Sequence, residues 1–330
     1  MNIVSEAATP HKNPEAMDTA TAVEKIEALR TNIERVFRGK PHVVELTLTC
    51  VLARGHLLLE DVPGVGKTTL ALALARSLGM KFRRIQFTSD MLPSDIIGVS
   101  VWNQKTGEFK FSPGPLFSEL VLADEINRTT PRTQSALLEA MSEGKVSVDN
   151  VTHDLPSPFH VIATQNPLEN YGTYPLPESQ LDRFLMRLSI GYPGEQIERE
   201  LLLSRGVSEP VEALEAVVEP SQLALLQQVA ANVKMEPVVA EYIMAAVEKT
   251  RGDERIRIGV STRGALALAR AVRALALVRG RDFCIPDDAR ELLVPCFAHR
   301  CSLGASSRVA SRQEAEVLLE EVLSEVPVPA

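Results

Sequence analysis

The sequence predicts an α/β domain built on a five-stranded parallel sheet, with flanking helices and two inserted β-hairpins, followed by an all-α domain. Five short apolar runs alternate with helical or loop segments, as in parallel sheets that are covered on both faces. Strand signals of this strength end near residue 194, and helical patterns alone follow. A length of 330 residues fits about two domains.

The composition bounds the class of protein. Hydrophobic residues at 45% and charged residues at 24% match an ordinary soluble globular chain. The net charge of −8 repels nucleic acid unless basic residues are gathered locally, so nucleic acid is an unlikely partner. The chain has neither a long uncharged apolar run nor a signal peptide, so we expect no membrane insertion and a cytoplasmic location. Cys296, His299 and Cys301 lack a second pair of zinc ligands, so no zinc site is expected. The four cysteines, Cys50, Cys284, Cys296 and Cys301, are interpreted as reduced core thiols.

The N-terminal region divides into an arm and a first pair of helices. Residues 1–20 mix small, polar and proline residues without periodicity, which predicts a disordered arm. Apolar positions recur at helical spacing from Ala22 to Phe37, and a second helix ends near Arg54. We therefore assign 21–194 to the α/β domain and 195–330 to the helical domain.

The strands of the α/β domain follow in order along the chain. The five predicted strands are 56–60, 82–87, 120–125, 159–166 and 184–190. Valine and phenylalanine residues flank turn-rich segments between these strands, which predicts two β-hairpins, one spanning 99–111 and one turning at Asp149-Asn150.

A clear helix follows the third strand. Thr130 can cap it, Pro131 fits its first position and Gly144 ends it. In the second domain the predicted helices are 195–203, 220–233, 237–249, 262–278 and 287–297.

The strongest motif is the glycine-rich turn between the first strand and the next helix. A phosphate chain needs several backbone N–H groups aimed at one point, and the start of a helix adds its positive dipole end. We expect Lys67 to reach the terminal phosphates of the bound chain, and the Thr68 hydroxyl to hold Mg²⁺. Asp61 replaces the first glycine of the usual pattern. The nucleotide-binding segment comprises Pro63, Gly64, Val65, Gly66, Lys67, Thr68 and Thr69.

Three polar side chains follow the third and fourth strands. Asp124, at the tip of an apolar strand, is expected to bind Mg²⁺, and Glu125 to act as the base that activates the attacking water. Asn166 ends the fourth strand, where its amide could orient that water. We therefore predict Mg²⁺-dependent hydrolysis of a bound phosphate chain.

Together these motifs resemble the MoxR family of AAA+ ATPases over residues 22 to 325. The segments that carry the resemblance are the phosphate loop, LADEINR, QSALLEAMSEG, ATQNP, LPESQLDRFLM and VSTRGALALARA. The resemblance implies that the substrate is ATP. It also implies a P-loop AAA+ core, hairpins inserted at these two places, a helical lid domain and an oligomeric ring, expected to be a hexamer.

The resemblance also implies roles for two arginines. Arg183 matches the arginine finger, which would reach the γ-phosphate bound by the neighbouring subunit. Arg263 matches the second sensor, which would contact phosphate within the same chain. Arg128 and Arg132 are either further contacts between subunits or a solvated helix start, and the sequence does not decide between these.

Several functions remain open at this point. The resemblance favours remodelling or maturation of a protein client, including insertion of a metal cofactor, beside a partner with a von Willebrand factor A-like domain. A metal-chelatase motor subunit would use the same chemistry. A nucleic-acid motor is disfavoured because the hairpin segment 143–157 carries a net charge of −2, from one lysine against three acids. A scaffold that binds ATP without turnover is disfavoured because such a protein would not need the catalytic acid Glu125.

Overall fold

The computed structural model describes residues 17–167, 172–203, 210–304 and 312–329. Most of the predicted arm, residues 1–16, lies outside these described residues. The first helix, α1, covers Thr19–Glu34, and Oδ1 of Asp18 caps it by accepting a hydrogen bond from the Thr21 N–H at 2.7 Å. The helix thus begins within the last two residues of the predicted arm.

A five-stranded parallel sheet forms the centre of the α/β part. The strands are β1 (Leu57–Glu60), β2 (Phe82–Gln86), β3 (Gly98–Asn103), β4 (Glu108–Pro113), β5 (Leu120–Asp124), β6 (Lys145–Val148), β7 (Val151–Asp154), β8 (His160–Gln165), β9 (Met186–Leu188), β10 (Ile256–Ile258) and β11 (Ser302–Leu303). The large sheet has the order β2-β5-β8-β1-β9, with every pair parallel. All five predicted strands are confirmed, and the carboxyl ends of β5, β8 and β1 lie side by side.

The helices lie on both faces of this sheet and fill the second half of the chain. After α1 they are α2 (Pro41–Leu52), α3 (Lys67–Ser77), α4 (Pro93–Ile97), α5 (Pro131–Glu143), α6 (Glu178–Leu181), α7 (Glu195–Leu203), α8 (Pro220–Ala231), α9 (Pro237–Gly252), α10 (Thr262–Val278), α11 (Pro286–Phe297) and α12 (Arg312–Ser324). The predicted helices are confirmed with ends shifted by up to three residues. Thr130 precedes α5 without a capping side-chain hydrogen bond, and Gly144 ends the helix in a left-handed conformation.

Both predicted hairpins form between core elements. β3 pairs with β4, and β6 pairs with β7 through a two-residue turn in which Asp149 and Asn150 have φ of 50° and 63°, as a type I′ turn requires. The Phe111 ring stacks on His153 with centroids 4.0 Å apart, so the two hairpins touch. The ring of Phe111, which is partly buried, is thus packed against the second hairpin.

Two hydrophobic cores lie on opposite faces of the sheet, and alternate residues of β1 point into each. Leu57 and Leu59 point to a core shared by α1, α2, α3 and the helices of the second domain, whereas Leu58 points to a core that includes α5. The helical domain therefore packs against the same side of the sheet as α1 to α3 and shares their core.

The second domain is helical, as predicted, with one exception. β10 and β11 pair as a short antiparallel ribbon, and a further helix, α12, which was not predicted, follows them. Runs of two or three residues are too short to give a strand signal. None of the described helices is long and apolar enough to cross a membrane, and the location of the protein remains a prediction.

Candidate nucleotide site

The phosphate loop connects β1 to α3 through two glycines in left-handed conformations. Gly64 has φ of 87° and Gly66 has φ of 96°, values that side chains with a Cβ rarely adopt. α3 begins at Lys67, directly after Gly66. The turn thus places the backbone N–H groups of the loop at the positive end of a helix, where an anion is stabilised.

Asp61, which replaces the usual first glycine, anchors the loop. Its Oδ2 accepts hydrogen bonds from the N–H groups of Ile190 at 2.8 Å and Gly191 at 2.7 Å and from the Ser189 hydroxyl at 2.8 Å. Burial alone would raise the pKa of Asp61, but these hydrogen bonds outweigh it and the pKa is lowered. The carboxylate therefore ties the start of the loop to the segment after β9.

Lys67 folds back over the loop. Its Nζ donates to the carbonyl oxygens of Asp61 at 2.6 Å and Val62 at 3.2 Å. Partial burial lowers the pKa of Lys67, while the carboxylates of Asp61, Asp124 and Glu125 oppose that shift. The ammonium group is thus held above the glycines, beside the acids at the ends of the neighbouring strands.

Asp124 ends β5 as a buried carboxylate with both oxygens engaged. Oδ1 accepts from the Thr164 hydroxyl at 2.6 Å, and Oδ2 accepts from Nε and Nη2 of Arg84 at 3.0 and 2.6 Å. Thr164 lies on β8, the neighbour of β5 in the sheet. The parallel strands thereby fix the carboxylate from one side, and Arg84 of β2 fixes it from the other.

Glu125 follows in a left-handed conformation with φ of 58°, which is uncommon for a residue other than glycine. Its N–H donates to Oγ1 of Thr164 at 2.9 Å. Its Oε2 accepts from Nε2 of Gln86 at 2.6 Å and forms an ion pair with Arg128 at 3.1 Å. The backbone therefore turns this carboxylate away from the strand direction, and two neighbours hold it.

These residues line one cavity of about 330 Å³ at the carboxyl edge of the sheet. Its walls are formed by Pro63, Gly64, Gly66, Lys67, Thr68, Thr69, Arg84, Gln86, Asp124, Glu125 and Asn166. Of the predicted nucleotide-binding residues in this loop, Val65 alone is absent from the wall, because its side chain is buried in the core. A pocket outside the carboxyl ends of parallel strands is where α/β sheets bind ligands.

The donor set of this cavity suits Mg²⁺. The Thr68 hydroxyl and the Asp124 carboxylate are hard oxygen ligands, which Mg²⁺ prefers, and both face the same space. Mg²⁺ usually takes one or two carboxylates and completes its shell with water and substrate phosphate.

Arg183 and Arg263 lie elsewhere. Both line a second cavity of about 320 Å³, together with Arg54, Gly55 and other residues around the start of β1. β1 covers four residues, so this amino edge of the sheet lies about 13 Å from the carboxyl edge that carries the phosphate loop. Arg263 was expected to contact phosphate bound by its own chain, and its position at the amino edge contradicts that expectation. The helical domain packs against the face of the sheet and not over the phosphate loop.

The segment that carries Arg183 is closely packed. A Cβ on Gly55 would lie 2.3 Å from Cδ2 of Leu185, so only glycine admits this approach. Nη1 of Arg183 donates to the Leu138 carbonyl at 2.6 Å and also contacts the Ser142 hydroxyl. The guanidinium thus rests against the end of α5.

Arg300 fixes the same segment from the helical domain. Its buried guanidinium donates to Oδ1 of Asp182 at 2.7 Å and to the carbonyls of Phe184 at 2.6 Å and Leu185 at 3.1 Å. Arg300 was not predicted as a functional residue, because nothing in the local pattern CFAHRC indicates a contact more than a hundred positions away.

Arg84 and Gln86 were also missed, although a signal existed. They occupy alternate positions of β2 and line the nucleotide cavity. A strand expected to be apolar on both faces should not carry two long polar side chains on one of them. Arg132 is exposed at the start of α5.

Comparison with known proteins agrees with this geometry. The model of the ATPase family associated with various cellular activities (AAA) matches residues 56–186, and that of the AAA lid domain matches 248–322. The chain is 39% identical to the Chaperone MoxR1 of Mycobacterium tuberculosis, over 98% of this chain and 88% of that protein. It is 50% identical to the uncharacterized protein YeaC of Bacillus subtilis, over 90% and 93%. A crystal structure from Cytophaga hutchinsonii, of a protein assigned as an ATPase, superposes with a TM-score of 0.82 at 32% identity, over 94% of this chain and 97% of that one.

Proposed function

The chain belongs to the MoxR family of AAA+ ATPases and hydrolyses ATP, and we propose that it does so at the junctions of a ring that remodels a protein client. The observation that carries the proposal is the separation of two groups in one chain. The phosphate loop and acids lie at the carboxyl edge of the sheet, and Arg183 and Arg263 lie at the amino edge. A complete site then needs two copies.

The loop residues bind the triphosphate. Backbone N–H groups between Gly64 and Thr69 surround the β- and γ-phosphates, and Lys67 exchanges its carbonyl partners for phosphate oxygens. Thr68 and Asp124 would hold Mg²⁺, and the bound cation would neutralise part of the charge that develops on the phosphates. For this, Oδ2 of Asp124 exchanges its hydrogen bonds from Arg84.

Glu125 takes the proton from the attacking water. Its carboxylate already accepts hydrogen bonds, so it can accept one from water as Gln86 or Arg128 gives way. Asn166, buried at the end of β8 and facing the same cavity, offers one donor and one acceptor to orient that water.

The neighbouring subunit completes the site. Arg183, and Arg263 beside it, stabilise the charge of the transition state on the nucleotide of the adjoining copy. An arginine finger typically contributes a factor of about 10³ to 10⁵ in rate, which corresponds to about 4 to 7 kcal/mol of barrier. An isolated subunit is then almost inactive.

The chaperone-like output rests on the family. A relative that covers nearly the whole chain is named a chaperone. We propose a hexameric ring acting on a protein client, with a partner carrying a von Willebrand factor A-like domain and with metal-cofactor insertion as one outcome of that remodelling. We also propose that residues 21–194 form the nucleotide-binding domain, that residues 195–330 form the helical lid domain, and that Mg²⁺ is the cofactor.

Two variants test the assignment of the chemistry. Lys67→Ala should lose ATP binding in equilibrium dialysis, whereas Glu125→Gln should bind ATP as the parent does and fail to release phosphate. Arg83→Ala, an exposed change on the other face of β2, serves as the matched control. Turnover by Glu125→Gln at the parental rate would refute the role of the base.

A further inference from the structure

The amino-edge cavity collects more positive charge than two arginines supply. Four guanidinium groups, those of Arg54, Arg183, Arg263 and Arg270, line the same 320 Å³. The acid in its wall, Asp182, already forms an ion pair with Arg300 at 2.7 Å. Among the described residues that line this cavity, four positive charges therefore face one another without a carboxylate to offset them.

Arg54 and Arg270 come from elements that hold them at this place. Arg54 occupies the turn between α2 and β1, directly before Gly55. Arg270 lies seven residues after Arg263 in α10, about two turns along, so both side chains share one face of the helix. Partial desolvation and the nearby charges of Arg300, Arg263 and Arg54 lower the pKa of Arg270.

Such a cluster is unfavourable in the isolated chain. Like charges within one cavity repel one another, and neither the Arg54 nor the Arg270 guanidinium has an ion pair or hydrogen bond within the described residues. A polyanion relieves this repulsion, and guanidinium groups match phosphate oxygens in geometry. The best-matched ligand for four converging guanidinium groups is a chain of phosphates.

We propose that Arg54 and Arg270 act with Arg183 and Arg263 to bind the triphosphate held by the phosphate loop of the adjoining subunit. This inference rests on the proposed ring junction and adds two residues to it. Arg273 does not take part. It does not line the amino-edge cavity but a neighbouring one, which Arg54 and Arg270 also border, and its guanidinium donates to the Val233 carbonyl at 3.2 Å.

Binding of inorganic tripolyphosphate tests the site directly. In the Lys67→Ala protein the chain's own phosphate loop is disabled, so calorimetry with tripolyphosphate at millimolar concentration reports the arginine cavity. We expect measurable binding that weakens at least tenfold when Arg54→Ala and Arg270→Ala are added and is unchanged by Arg273→Ala. Equal binding with and without the two arginines, or no binding in Lys67→Ala, would overturn the proposal.

Mixing of subunits shows whether the arginine cavity acts on the nucleotide of the neighbouring subunit or binds a free anion. A subunit with Arg54→Ala and Arg270→Ala should turn over ATP about 10- to 100-fold more slowly, and Arg270→Lys should retain more activity than Arg270→Ala. Mixing the double variant with Glu125→Gln should restore turnover, because the second subunit supplies the missing arginines. Binding of tripolyphosphate without such rescue would mean a site for a free anion and would overturn the proposal.

Comparing Arg183→Ala with the double variant distinguishes a failure of this inference from a failure of the proposed function. If Arg183→Ala abolishes turnover while the double variant does not alter it, the inference fails and the ring junction stands. If neither change affects turnover, the ring junction itself fails.

Discussion

The guanidinium of Arg84 donates two hydrogen bonds to Oδ2 of Asp124, from Nε at 3.0 Å and from Nη2 at 2.6 Å. Nη2 also donates to Oε1 of Gln86 at 3.0 Å, and Gln86 in turn holds Glu125. Two side chains of β2 thus connect the two acids that the reaction needs. Any cation that uses Oδ2 must first displace Arg84.

Removing Arg84 should lower the requirement for Mg²⁺. A charge-assisted hydrogen bond contributes about 1.5 to 3 kcal/mol, so Arg84→Ala should reduce the half-saturating Mg²⁺ concentration about tenfold. The measurement is a Mg²⁺ titration of ATP hydrolysis, repeated with Mn²⁺ by electron paramagnetic resonance. Arg83→Ala should leave both curves in place. A higher Mg²⁺ requirement in Arg84→Ala would show that the arginine assists the cation instead of competing with it.

Removing the carboxylate of Asp61 should loosen the phosphate loop. Asp61→Ala leaves the N–H groups of Ile190 and Gly191 without their acceptor, at a cost of about 1 to 3 kcal/mol for each buried group that stays unpaired. We expect a lower midpoint of thermal unfolding and weaker ATP binding than in the parent. Asp61→Asn keeps one acceptor oxygen and should lie between the two. An unchanged midpoint in Asp61→Ala would contradict the anchoring role.

Acid should destabilise the protein through two buried histidines at the amino edge of the sheet. Burial is the main cause that lowers the pKa of His56 and of His160, each to about 4. For His56 the charge of His160 acts in the same direction. Between pH of about 6.5 and 4 the unfolded chain binds protons that the folded chain does not, so stability is full above this range and falls on acidification.

At pH 5 the loss should reach about 2 kcal/mol for each histidine. Urea unfolding at pH 7 and pH 5 measures it, and His160→Gln should remove about half of the difference. An equal pH dependence in His160→Gln and parent would refute this account.

The carboxyl edge of the sheet could be predicted because its residues are close in sequence to the strands that present them. Gly64, Lys67 and Asp124 follow apolar runs, and parallel strands bring their ends together. The contacts of Asp61 and Arg84 could not be read in the same way, since their partners are defined by tertiary packing alone. Asp61 looked like a departure from the motif, and its role emerges only from the segment after β9.

The position of Arg263 was predicted wrongly for a related reason. Sequence order gives the helix that carries it but not the side of the sheet on which the helical domain packs. The core shared by Leu57, Leu59 and α10, and the reach of Arg300 to Phe184 and Leu185, fix that side. Arg54 and Arg270 likewise meet only in the folded chain.

The central claim is that one active site draws on two copies of the chain, and mixing two inactive subunits tests it most directly. Arg183→Ala keeps the phosphate loop and Glu125, whereas Glu125→Gln keeps the arginine. Each variant alone should release phosphate at a small fraction of the parental rate. Mixed at increasing ratios, with joint assembly verified by light scattering and labelled subunits, they should recover turnover that peaks at an intermediate ratio. Mixed rings that form and yet stay inactive at every ratio would contradict the claim.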